Sequence, residues 1–183
     1  MIEPVKNKLK EFGDKVTKED EVLFEFLIAN VYFGAEKYRD SLRQLNNVLN
    51  DNESNLRQDI YNFAKLFNLV IHYELGNFDL LEYLVKSTER FFLKSKKSTG
   101  VDHHFELSFI RSFKKVIKSA RNAGRTNEFF NEMKSDLSEL LQDQKEGVAL
   151  EYFDYVAWVD SKLKSRSYSS LRTSSDFGIS ASN

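Results

Sequence analysis

Apolar residues recur along most of this chain at spacings of three and four, the period of a helix rather than of a strand. Two runs are apolar nearly all the way round. The first contains Val22, Leu23, Phe24, Phe26, Leu27, Ile28, Ala29, Val31, Tyr32 and Phe33; the second contains Ile60, Phe63, Ala64, Leu66, Phe67, Leu69, Val70, Ile71, Tyr73 and Leu75. A surface helix needs only one apolar stripe, so both runs are expected to be covered on more than one side. Each leads through a glycine into a one-sided partner. Gly34 precedes 37–50, with Tyr38, Leu42, Leu45, Val48 and Leu49 on its stripe; Gly76-Asn77 precedes 78–92, with Leu81, Tyr83, Leu84, Val85, Phe91 and Phe92. The hairpin 59–92 is the unit around which the remainder is expected to be organised.

The other segments follow the same rule. Residues 3–13 space Val5, Leu9 and Phe12 on one face, with Pro4 placed to start a short helix and Gly13 to stop it. This segment reads equally as a capping helix or as the remnant of an upstream repeat. Thr17 and Asp20 have capping-box spacing. The cluster 51–54 is expected to be a loop and 94–100 a polar linker. Three further helices are expected at 102–123, 126–143 and 146–164, with Asp102 and Thr126 as caps. The fold class is therefore all-α, a right-handed stack of antiparallel helical hairpins with about seven main helices. Residues 1–165 read as one domain (1–16 being the capping helix or remnant) and 166–183 as a disordered Ser-rich tail.

Aligned on Tyr38 and Phe78, the first two hairpins repeat with an offset of 40 residues. A period of that order is the mark of a helical solenoid. The pattern resembles the tetratricopeptide-repeat family, which has a small residue and an aromatic in its first helix and a Gly-x-aromatic turn into its second. Ala29 and Tyr32 match the first feature, and Gly76 and Phe78 the second. Leu69 and His72 depart from it, Leu81 stands where alanine is usual, and the closing proline is absent. The segment LEYFDYVAWVDSKL resembles a group of uncharacterised bacterial proteins whose C-terminal regions are of this helical-repeat type. The resemblance implies an α-solenoid that binds partners, and a chain belonging to something longer.

Composition narrows the chemistry. The net charge is −1, which gives nucleic acid or an anionic membrane no general field. Cysteine is absent, which excludes disulfides and thiolate chemistry, and no segment has the length and apolarity of a membrane span. A cytoplasmic protein without a cofactor is expected. No phosphate loop, metalloprotease motif or nucleophile elbow occurs, so no enzyme is expected. His103 and His104 are adjacent and diverge by about 100° on a helix, which suits a surface helix start better than a metal site.

Two sets of residues remain as candidates. Arg111, Lys114, Lys115, Lys118, Arg121 and Arg125 form one basic stripe, and Glu128, Glu132, Asp136, Glu139 and Asp143 form an acidic one on the next helix. Apposed, the stripes make a neutralised surface; left open, the bases would offer a patch for an acidic peptide or a nucleic-acid backbone. The second set is Asn30, Lys65, Asn68 and His72, polar groups inside apolar helices. Such groups face either an interhelical hydrogen bond or a groove, with Tyr32 and His72 shaping pockets. The expected function is a non-enzymatic protein–protein interaction scaffold that holds a peptide or partner helix in a concave groove. The alternatives are a self-association module of a longer solenoid and, less favoured, a nucleic-acid-binding helical repeat.

Overall fold

A computed structural model of the chain describes residues 16–51, 56–120 and 125–171. Among them every regular element is helical: α1 (Lys18–Gly34), α2 (Tyr38–Leu49), α3 (Gln58–Glu74), α4 (Phe78–Thr99), α5 (His104–Ala120), α6 (Thr126–Leu140), α7 (Gln144–Gly147), α8 (Ala149–Tyr152) and α9 (Tyr155–Leu163). The all-α expectation holds. The segment 3–13, Arg121 and most of the expected tail lie outside the described residues. The chain divides into two compact units at Leu75–Gly76, where a single domain was expected. That boundary also splits the hairpin at 59–92, leaving α3 in the first unit and α4 at the start of the second.

In the first unit, α1 begins with the expected capping box. The Thr17 hydroxyl accepts from the Asp20 N–H at 3.2 Å, and the Asp20 carboxylate accepts from the Thr17 N–H at 3.1 Å. The Thr17 hydroxyl also donates to that carboxylate at 2.8 Å, and this bond together with the one from the Thr17 N–H holds the Asp20 carboxyl below its ordinary pKa. Glu36, with φ of 58°, makes the left-handed turn into α2. Gly34 is simply the last residue of α1. The pair then runs antiparallel: Ser41 Oγ donates to the Ala29 carbonyl at 2.8 Å, Asn47 Nδ2 to Glu25 at 3.0 Å, and Lys18 meets Asp51 at 3.0 Å. Helix α3 packs on both partners through Phe67, whose ring lies 6.0 Å from Phe26 and 5.2 Å from Phe33. All three phenylalanines are sealed from solvent, and burying each contributes about 1.5–3 kcal/mol.

In the second unit, the expected linker at 94–100 is helical, because α4 continues to Thr99. Its lysines and serines are tolerable on an exposed face and nothing in the segment breaks a helix until Gly100, which takes φ of 74°. Asp102 does not cap α5; it pairs with Lys96 at 2.9 Å. Thr126 is the first residue of α6 rather than its cap. The single helix expected at 146–164 is three pieces. Phe153 is extended, and Asp154 accepts from the Ala157 N–H at 2.8 Å to start α9 afresh. The core is aromatic: Trp158 meets Phe113 and Phe130 at 5.7 and 5.8 Å, and Tyr155 meets Phe109 and Phe153 at 4.9 Å each. Part of the expected tail joins it. Residues 168–171 form a helical turn with Tyr168 and Leu171 buried, and the Tyr168 ring stacks on Phe153 at 5.0 Å.

Candidate functional site

The near-saturated apolar run of α1 is not covered on every side. Val22, Phe26, Ala29 and Phe33 are buried, whereas Leu27 and Val31, on the opposite face, are 45% and 53% exposed. Leu23 and Phe24 are half-buried on the same side. With positions i, i+4 and i+8 aligned along a helix, Leu23, Leu27 and Val31 form one apolar ridge. The sequence could not separate this ridge from core, because both are written in the same residue types. Helix α3 is different: eight of its residues from Ile60 to His72 are buried, as its composition requires.

The five groove candidates divide between these helices. Asn30 flanks the α1 ridge, half-buried, and its side-chain amide donates to the Phe26 carbonyl at 3.0 Å. Tyr32 lies two residues on, about 200° round the helix, and cannot share that surface with Asn30. Lys65, Asn68 and His72 fall at i, i+3 and i+7 on one face of α3. The Lys65 ammonium sits over the Tyr61 ring, 4.6 Å from its centroid, one turn before. Asn68 is half-buried, and its Oδ1 is closed off from solvent with no hydrogen-bond partner among the described residues. His72 is buried, and burial lowers its pKa by penalising the charged ring.

The basic stripe is largely answered by acids. Lys114 pairs with Glu89, Lys115 with Glu132, and Arg125 with Glu128 at 2.7 Å. Arg111 and Lys118 stay exposed. Helices α5 and α6 run antiparallel, as the Ser112–Asp136 bond of 2.7 Å and the Lys115–Glu132 pair show. This is the arrangement of a neutralised, solvated surface, in which each pair contributes only about 0–1 kcal/mol. Beside it lies a cleft of about 480 Å³, lined by Arg111 and His104 and by the carboxylates of Asp136, Glu139, Asp143 and Glu146. Carboxylates outnumber cations in its lining.

A polar cluster in the second unit escaped the sequence. His103 is buried rather than at a surface helix start; His104 alone is exposed there. His103 Nδ1 lies 3.2 Å from Glu106 Oε1, and Nε2 lies 2.9 Å from Ser95 Oγ. Its ring packs against Phe92 at 4.9 Å. Burial pushes the nearby Tyr155 hydroxyl well above its ordinary pKa, with the Glu106 charge adding to the effect. The only signal in the sequence was the His103–Glu106 spacing of three.

Among the described residues, no group of three or more His, Asp or Glu side chains is placed to hold a metal ion, and no helix is long and apolar enough to cross a membrane. Comparison with protein-family models, curated proteins and solved structures finds no match to the chain.

Proposed function

We propose that the chain is a non-enzymatic interaction module of tetratricopeptide-like helical pairs, which receives an amphipathic partner helix or peptide on the α1 side of its first unit. The observation that carries this reading is the Leu23–Leu27–Val31 ridge. Exposed aliphatic residues lined up at helical spacing lose hydration cost only when another apolar surface covers them, and such patches mark interaction sites. The ridge has a polar edge in Asn30 and an acidic end in the exposed Glu19. A fitting partner presents apolar residues at i, i+4 and i+7 with a basic residue near one end, the helix-in-groove mode of recognition. Antiparallel pairs such as α1–α2 and α5–α6, one in each unit, support the helical pair as the building block of this reading. Lys65, Asn68 and His72 share one face of α3, but His72 is buried and the Asn68 acceptor is closed off from solvent, so the ridge and not this face carries the reading.

The test is fluorescence anisotropy with a labelled helical peptide of that design. Val31→Asp and Leu27→Asp each place a charge on the ridge, and each should weaken binding at least tenfold while circular dichroism stays unchanged. Unaltered affinity in both variants would overturn the proposal. Concentration-dependent dimerisation that the same variants abolish would instead make a second copy of the chain the occupant.

A further inference from the structure

We infer that Ser95 is an activated hydroxyl, poised for a single covalent acylation or phosphonylation by a small electrophile that carries a good leaving group.

The geometry begins at Gly100. Its left-handed conformation, φ of 74°, ends α4 and turns the chain so that α5 returns antiparallel. This return sets His103, just before α5, against Ser95, in the last turns of α4, and puts Glu106 in the first turn of α5 behind it. The two contacts made by the imidazole, 2.9 Å to Ser95 Oγ and 3.2 Å to Glu106 Oε1, come from different ring nitrogens. An ionised carboxylate can only accept, so in the neutral ring Nδ1 carries the hydrogen and donates to Glu106. The lone pair of Nε2 is then left to accept from the Ser95 hydroxyl. Nucleophile, base and a group that orients the base are thus in hydrogen-bond series. His103 and Glu106 are buried while Ser95 is half-buried, so the hydroxyl lies at the rim of a sealed relay.

Ser95 differs from the other two serines of α4, while Ser41 and Ser112 likewise reach a distant partner. Ser87, Ser98, Ser119 and Ser161 each turn the hydroxyl onto the backbone carbonyl three residues before. That is the default for a helical serine, which has a local acceptor always within reach. Ser95 forgoes it for the imidazole.

In the covalent step, Ser95 Oγ forms a bond to the acyl carbon or phosphorus and passes its proton to His103 Nε2. The leaving group departs with its bonding electron pair, and Glu106 balances the imidazolium until that proton returns to solvent. Ser95 lies inside α4, where its own N–H belongs to the helical ladder, so no oxyanion donor is offered there. The relay therefore supports one modification event and not rapid turnover.

The experiment treats the full chain with a fluorophosphonate probe and with p-nitrophenyl acetate, and maps the adduct by mass spectrometry. Ser95 should be labelled at least tenfold faster than any other serine, and Ser95→Ala should remove that fast phase. Glu106→Gln and His103→Gln should slow it by roughly a hundredfold, the scale of general-base assistance. The groups facing the ring are Ser95 and Glu106, with the Tyr155 hydroxyl near Glu106 and the Lys96–Asp102 pair on the adjoining turn. Labelling spread evenly over exposed serines would overturn the inference. So would unchanged labelling of Ser95 in Glu106→Gln, a variant that keeps the shape of the side chain. If His103→Gln fails to fold, the wild-type selectivity and Glu106→Gln decide. None of these readouts touches α1, so they stand apart from the binding test above.

Discussion

Two imidazoles are sealed inside this chain, and they differ in what burial asks of them. His103 has an acceptor at one ring nitrogen and a hydroxyl at the other, whereas His72 lies among the apolar residues of α3 and its pKa is lowered by burial. The folded form of His72 thus binds its proton less readily than the unfolded chain does. Between the ordinary value of 6.5 and the lowered one, the unfolded state holds more protons, so stability falls as pH falls through that window. We expect His72→Gln to flatten the loss of stability below pH 6.5, measured as urea midpoints at a series of pH values; a slope identical to that of wild type would contradict it. The buried state of His72 was legible from its apolar neighbours. That of His103 was not, because its partner Ser95 is eight residues away and is brought close only by the turn at Gly100.

Elements were legible in type and much less so in extent. Periodicity located every long helix, yet it mistook the last turns of α4 for a linker, since an exposed helical turn and a loop draw on the same polar residues. It also fused α7, α8 and α9, because apolar spacing continues through the break that Phe153 and Asp154 impose. Glycine carries the information that composition lacks. At Gly100 an added Cβ would meet nothing within 4 Å, so the only obstacle to a side chain is the left-handed backbone. Gly34 is equally open but has no such conformation. Gly100→Ala should therefore lower stability by about 1–2 kcal/mol, while Gly34→Ala should leave it unchanged or raise it by up to about 1 kcal/mol. Equal effects in chemical denaturation would mean that the α4–α5 turn does not depend on its left-handed residue.

For the whole molecule, the all-helical class followed directly from the spacing of apolar residues, but the division at Leu75–Gly76 did not. The sequence placed its strongest hairpin across that boundary, because Gly76-Asn77 reads as a tight turn whichever units its helices join. Charge was legible in outline: Lys115 of the basic stripe does meet Glu132 of the acidic one, while Lys114 turns to Glu89 of α4 and Arg125 to its neighbour Glu128. The candidate site was half legible. Asn30 and the Lys65–Asn68–His72 face were visible as polar interruptions, whereas the α1 ridge was hidden by its resemblance to core.

The account turns on that ridge, and backbone amide chemical-shift mapping tests it most directly. An isotopically labelled chain is titrated with the amphipathic helical peptide, and shifts are followed residue by residue. The account predicts that the largest perturbations fall on Leu23, Leu27, Asn30 and Val31, with the α5–α6 surface unmoved. Perturbations centred on Arg111, Lys118 and the acidic cleft, or none anywhere at saturating peptide, would contradict it.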